Sequence, residues 1–511
     1  MAKKSTASSK RSSKPRAESK RKRLTRTLRK PATATAASDL VFALVGPTGT
    51  DLDSVVSALR TEMQVVGYRL VEPIRLSDLL EAALPDQAPS NCDEAERIRR
   101  LQDAGDRVRK ECGDASAVAA LGVLELSRVR HTATDGRLAF VLRSLKHPKE
   151  VELLREIYGN NLFVISVYQP RDERIETLKR RIEKSRRTKR DSERDATDII
   201  DRDEHSQTDA FGQDVRGAFP KADFFLRSGD GLRHQITRLV EVLFGHPFRT
   251  PTADEHGMYL ARAVALLSAD LSRQVGAVIM DDSGCELASG CNEVPKFGGG
   301  IYREGDSSDH RDFNFGADPN ALVKRDILEE IAKALAANGV ADVNSEQLSK
   351  ALDGSRVASL VEFGRIVHAE MNAIASAARR GIAIDRSRMY CTTFPCHVCA
   401  RHILATGLRE VVFIEPYPKS MALTMYKHAI ELSDTASSTK LVFRPFLGVA
   451  PRRYMDLFAF RKRKDEDGYA LRWAPLKASP VGTTSLTEHK LNEQAVADKM
   501  RRKLIDLGWA S

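Results

Sequence analysis

"VHAEMNAIASAARRG" (Val367–Gly381) places a histidine and a glutamate two residues apart, ahead of an Ala-rich run that ends in two arginines and a glycine. Basic residues in a last turn and glycine just beyond it mark the end of a helix, so the spacing predicts one that opens at His368. His and Glu are ordinary surface residues near a helix start. A metal site reads them differently, and it demands further ligands downstream. These follow in "PCHVC" (Pro395–Cys399). With a helix beginning at Pro395, a residue suited to the first turn, Cys396 and Cys399 lie three apart on one face. The free amides and positive dipole end of that turn favour the thiolate a metal requires.

One imidazole (His368) and two thiolates (Cys396, Cys399) leave a fourth tetrahedral position for water, the arrangement of a catalytic rather than a structural zinc. Glu370 is not needed as a ligand and is placed to move protons. His-x-Glu with Pro-Cys-x-x-Cys is the pattern of zinc deaminases. Two other readings use the same region: a structural Cys2His2 site that takes in His397 or His402, and a redox Cys-x-x-Cys pair. Neither gives Glu370 a task. His397 falls between the cysteines on the other face, which suits solvent or a supporting contact.

The chain has 511 residues, and at about 100–200 residues per domain this implies two to four units. Its net charge of +11 is uneven, since residues 1–38 hold 13 Lys/Arg against the lone acid Glu18 and the remainder is close to neutral. That tail lacks the apolar content to fold and is expected to be disordered, either gripping an anionic surface or RNA or serving solubility alone. No apolar run approaches the roughly 20 residues of a membrane span, and no secretory h-region is present, so the expected location is the cytoplasm. Seven cysteines without framework spacing exclude a disulfide scaffold.

From Leu40 to Gly245, apolar strands such as "LVFALVG", "RLAFVL", "NLFVISVY" and "ADFFLRS" alternate with amphipathic helices. Such alternation predicts a parallel α/β sheet covered on both faces. "HPFRTP" reads as a linker, giving expected domains at 39–248 and 249–511. In the second, a hairpin turning near Asp282–Gly284 precedes a Gly- and Asp-rich loop, "PKFGGGIYREGDSSDHRDFNFGADPN", too long for a passive connection. The mixed-charge run Arg171–His205 is expected to be exposed helix or a lid. "VGPTGTD" (Val45–Asp51) occupies the place of a phosphate-cradling loop, with Gly46, Gly49 and Thr50 as candidate amide donors. It lacks the Walker spacing and its lysine, which puts phosphoryl transfer in doubt.

The C-terminal half resembles the cytidine and deoxycytidylate deaminase superfamily. "SRQVGAVI" (Ser272–Ile279) is similar to its first core strand, and "SGCNEVP" (Ser289–Pro295) to the segment in which an Asn contacts the sugar, here Asn292. In "EPYPKS", Tyr417 is a candidate to stack on a pyrimidine and Lys419 to meet a phosphate. A P-loop kinase-like domain joined to a three-layer α/β/α deaminase domain resembles the bacterial anti-phage dCTP/dCMP deaminases. The resemblance implies Zn2+, a dCMP or dCTP substrate, a regulatory nucleotide at the P-loop-like turn, an inhibitory RNA, a homo-oligomer and a role in antiviral defence. Two rival expectations remain, a deaminase acting on RNA or single-stranded DNA and a non-enzymatic nucleotide or RNA sensor.

Overall fold

The structure, a computed structural model, describes residues 39–84, 92–132, 137–186, 191–205, 211–352, 355, 357, 360, 362–415, 420–433, 437, 439–483 and 486–509. The basic tail and the candidates Tyr417 and Lys419 lie outside these residues.

Strand β1 (Leu40–Val45) is buried throughout. Its side chains alternate between two cores: Leu40, Phe42 and Leu44 enter one, while Val41, Ala43 and Val45 enter the other. A strand apolar on both faces must be central in a doubly covered sheet. Its neighbours are β4 (Leu138–Leu145) on one side and β5 (Leu162–Tyr168) on the other, both parallel to it. Short strands β2 (Arg69–Leu70) and β3 (Ile74–Arg75) lie beyond β4, and β6 (Phe224–Arg227) beyond β5. Helices Leu52–Val65 and Leu232–Leu243 cover one face, and Ala117–Thr132 and Pro148–Tyr158 the other.

The second sheet runs β11 (Ile430–Leu432), β12 (Leu441–Pro445), β10 (Glu410–Glu415), β9 (Arg388–Thr393), β7 (Gly276–Met280), β8 (Glu286–Cys291). Strands β9 to β12 are parallel, and β7 opposes both β8 and β9. Helix Ala253–Ala265 packs on one face, and helices Ala369–Arg380 and His397–Ala405 pack on the other. The mixed α/β class with parallel sheets is thus as read. The β7–β8 turn also falls where expected, with the Asp281 carboxylate accepting from the amides of Ser283 and Cys285.

Other features depart from the sequence reading. The stretch 254–271, "DEHGMYLARAVALLSADL", reads from sequence as one long helix but is helical only to Ala265, and Asp270 instead caps a turn by accepting from Ser272 N at 2.6 Å. Residues beyond Phe446 do not stay with the second sheet, although 249–511 was expected to be one domain. Strand β13 (Gly448–Val449) pairs antiparallel with β6, and Met500 and Leu504 of helix Leu486–Asp506 enter the first sheet's core. The apolar residues of this extension find their cover there. Among the described residues, no helix is long and apolar enough to cross a membrane.

Gly290 of β8 sits directly beneath helix Ala369–Arg380. A Cβ at this position would come within 2.4 Å of Ala373 N and 2.8 Å of Ala369 O, both backbone atoms that cannot rotate aside. Gly290→Ala is therefore expected to cost about 1–3 kcal/mol by forcing the helix off the sheet. Thermal unfolding reports this as a lowered midpoint, and an unchanged midpoint would show that the helix has room to give.

Candidate metal centre

Two helix starts converge at the C-terminal side of the second sheet. His368 is the N-cap of helix Ala369–Arg380, and Cys396 that of helix His397–Ala405. Pro395 consequently precedes the cap, two positions earlier than the first-turn place expected from sequence. The Cys396 sulfur takes the capping role itself, accepting from Cys399 N at 3.4 Å. A helix end buried in this way needs such an acceptor.

His368 Nδ1 stands 3.4 Å from Cys396 Sγ and 3.4 Å from Cys399 Sγ. All three donor atoms lie within 4.8 Å of one another. Tetrahedral zinc with Zn–S of about 2.3 Å and Zn–N of about 2.0–2.1 Å would separate nitrogen from sulfur by about 3.5 Å. The donor set therefore fits zinc in both chemistry and spacing. His397 is not part of this group, and its Nδ1 is buried without a hydrogen-bond partner among the described residues.

The cluster is electrostatically tight. The hydrogen bond from the Cys399 thiol, followed by that of His368, pulls Cys396 down to about 4. Cys399 is pushed far up, first by that same bond and then by burial. His368 is raised to about 9, chiefly by its hydrogen bond to Cys396. The proximity of the imidazole thus favours a thiolate within the pair, and a bound metal must displace the protons that the cluster holds. Glu370, 3 % exposed in the first turn of its helix, is raised by burial and then by the charge of Cys396.

A cavity of about 290 Å³ opens over these groups and is walled by His368, Glu370 and Cys396. Asn292 lines it too, but its amide already serves the protein: Oδ1 accepts from Val275 N at 2.7 Å, and Nδ2 donates to Asp270 Oδ2 and Arg273 O, both at 2.9 Å. The sequence reading missed Asp270, Arg273, Phe394 and the trio Asp312, Asp318 and Asn320, all on the cavity wall. The trio had a legible signal, because it comes from the end of the long Gly- and Asp-rich loop and the helix start that follows. That loop is held by Lys296–Asp306 (2.9 Å), Arg311–Asp309 (2.7 Å) and the pairing of Arg365 with Asp312.

The candidate donors of the P-loop-like turn lie in the other sheet, after β1. Thr50 N bonds to Pro47 O at 3.1 Å, so its amide closes the turn and does not face outward as expected. Gly49 has φ +89°, a left-handed conformation that glycine adopts without strain.

Residues 251–415 match the family described as the cytidine and deoxycytidylate deaminase zinc-binding region. Over 54 residues the chain is 44% identical to the deoxycytidylate deaminase of Enterobacteria phage T4, a stretch that makes up 11% of this chain and 28% of that protein. Over 53 residues it is 38% identical to ComE operon protein 2 of Bacillus subtilis, covering 10% of this chain and 28% of the relative. The chain thus spans less than a third of the length of these curated relatives. Among solved structures, the apo dCMP deaminase of cyanophage S-TIM5 aligns with 38% of this chain and 99% of its own, at 18% identity and a TM-score of 0.22.

Metal analysis of the purified protein is expected to give one zinc per chain. Replacing His368 by Ala, or Cys396 or Cys399 by Ser, should take the content well below that, while His397→Ala should leave it intact. Loss of metal in the His397 variant would point to a four-ligand structural site.

Proposed function

We propose that the protein is a zinc-dependent hydrolytic deaminase of free deoxycytidine nucleotides, dCMP or dCTP, releasing ammonia and the deoxyuridine nucleotide. The observation that carries this reading is a buried carboxylate, Glu370, on the same cavity wall as a His-Cys-Cys donor set. A structural metal site has no use for it. Zinc held by His368, Cys396 and Cys399 would supply Lewis acidity toward water, with one position left open.

The chain's own groups do the rest. Glu370 takes one proton from the attacking water and delivers it to the ring nitrogen beside C4, where it stays; it then takes the remaining proton of the added hydroxyl and passes it to the amino group, which departs as ammonia as the C4 carbonyl forms. Burial suits it to this task, since a carboxyl that holds its proton readily can also pass it on. The C–N bond at C4 breaks, a C–O bond forms, and no electrons change hands.

Cavity size and charge support a mononucleotide. About 290 Å³ falls at the small end of ligand pockets, which run to roughly 1,000 Å³. Asp270 and Asp318 on its wall oppose the approach of a polynucleotide backbone, while Arg273 offers a cation for a substrate phosphate. The first sheet is taken as a P-loop kinase-like unit that binds a regulatory nucleotide. The assembly is taken as a homo-oligomer, held silent by RNA and depleting deoxynucleotides in antiviral defence. These last elements rest on the resemblance to the bacterial anti-phage dCTP/dCMP deaminases.

Ammonia release from dCMP, dCTP, CMP and CTP tests the reading. Glu370→Gln should keep its zinc and lose about 10²–10⁴-fold in turnover. A zinc-loaded variant as fast as wild type would remove Glu370 from the chemistry. Arg273→Ala should raise KM for dCMP by about tenfold, the effect of losing about 1.4 kcal/mol of binding, and leave deoxycytidine unaffected. Equal effects on both would place Arg273 away from the phosphate.

A further inference from the structure

The turn after β1 already holds an anion, and the protein supplies it. Thr48 N donates to Asp203 Oδ2 at 2.7 Å. Lys146 Nζ lies 3.1 Å from Asp203 Oδ1 and 3.2 Å from Oδ2, and it also reaches Gly46 O and Thr48 Oγ1, each at 3.1 Å. Asp203 is 2 % exposed. The lysine absent from the loop's own sequence thus arrives from the end of β4, one hundred residues on. An amide and an ammonium converging on two carboxylate oxygens form the contacts they would make to a phosphoryl group.

Three further observations mark this as a ligand site rather than an ordinary ion pair. First, strand order reverses about β1, and the residues around the turn follow the carboxyl ends of β1, β4 and β5: Gly46, Lys146 and Gln169, whose Oε1 accepts from Asp51 N at 3.0 Å. In open parallel sheets ligands bind at such a reversal. Second, Thr50 Oγ1 is buried in the turn with no hydrogen-bond partner among the described residues.

Third, Asp203 rides on an outer helix. Helix Ser192–His205 packs on helices Arg171–Ser185 and Glu94–Cys112 through a small cluster built on Ile98, Leu178, Ile182, Ala196, Ile199 and Ile200, while Glu94–Cys112 itself sends Ala104 and Val108 into the first sheet's core. At the edge of the small cluster are ion pairs open to solvent, such as Arg202–Asp103. Withdrawing Asp203 leaves both faces of the first sheet packed. Helix Arg171–Ser185 also closes over the turn: Arg174 Nη1 reaches Thr48 O at 3.3 Å, and a Cβ on Gly49 would lie 2.9 Å from Arg174 O.

We propose that the turn Gly46–Thr50 and Lys146 form a binding site for the phosphoryl group of a nucleotide, with the Asp203 carboxylate as its built-in competitor. Ligand entry and release of helix Ser192–His205 are then one event. This rests on the reading of the first sheet as phosphate-binding, and it adds the cation, the competitor and the element that moves. Asp51 caps the following helix by accepting from Ser54 N at 3.1 Å, so the anion seat lies at Thr48 and Lys146 and not at the helix start.

Hydrogen exchange and calorimetry on the full chain, with pyrophosphate and dCTP as probes, test it. Residues 192–205 should lose protection when either probe is added to wild type, and Lys146→Met should abolish the response. Asp203→Asn should bind pyrophosphate about 10–100-fold more tightly, because apparent affinity scales with the fraction of molecules open to the ligand. Equal affinity in wild type and Asp203→Asn, with the helix unmoved, would overturn the competitor role and leave a plain phosphate site. No binding to Asp203→Asn would overturn the phosphate-binding reading as well. Should that variant fail to fold, the exchange response of wild type and Lys146→Met decides alone. A response to dCTP without one to pyrophosphate would overturn the assignment to the phosphoryl group.

Discussion

The seating of helix Ala369–Arg380 on β8 is the constraint from which the metal centre follows. Because residue 290 lacks a side chain, the helix backbone can press onto the strand. Asn372 ties the first turn by donating to Cys291 O at 2.8 Å. His368, at the helix's very start, is thereby fixed in height and direction, and Glu370, two residues on in the same first turn, is buried beside it. Across from it, β9 delivers Cys396 and Cys399 from the opposite helix. Three donor atoms from segments 28 residues apart meet only because both helices begin at the same edge of one sheet.

Much of this was legible. His-x-Glu and Pro-Cys-x-x-Cys are local patterns, and the spacing that makes them chemical is also what a helix start imposes, so the sequence carries both at once. Strands such as Leu40–Val45 and Leu162–Tyr168 could be read because burial on two faces leaves an unbroken apolar run. Pro395 was misplaced by two residues because a cysteine cap is rarely considered: the sulfur replaces the Ser, Thr, Asp or Asn that usually marks the position.

What the sequence hid is everything that depends on distance along the chain. Lys146 is an unremarkable residue at a strand end, and Asp203 is one acid in a mixed-charge run. Only the strand order brings both to the turn at Thr48. Asn292 is a related case: it lines the cavity, while its amide is engaged in holding Asp270, Arg273 and Val275. A side chain can shape a site through the loop it holds, and no spacing rule separates that from direct contact.

The path of the chain after β12 has its own consequence. Phe446 bonds to Phe413 O of the second sheet and lays its ring at 5.7 Å from Phe225 of the first, and two residues later β13 completes the first sheet's edge. Glu255, from the helix that opens the second unit, accepts from Val449 N at 2.8 Å and pairs with Arg238 at 2.6 Å. Entry to and exit from the second sheet are thus pinned side by side on the first. The second sheet is therefore nested within the chain path of the first, so neither can be cut away at a single peptide bond without stripping β13 or the last helix from the other's edge and core.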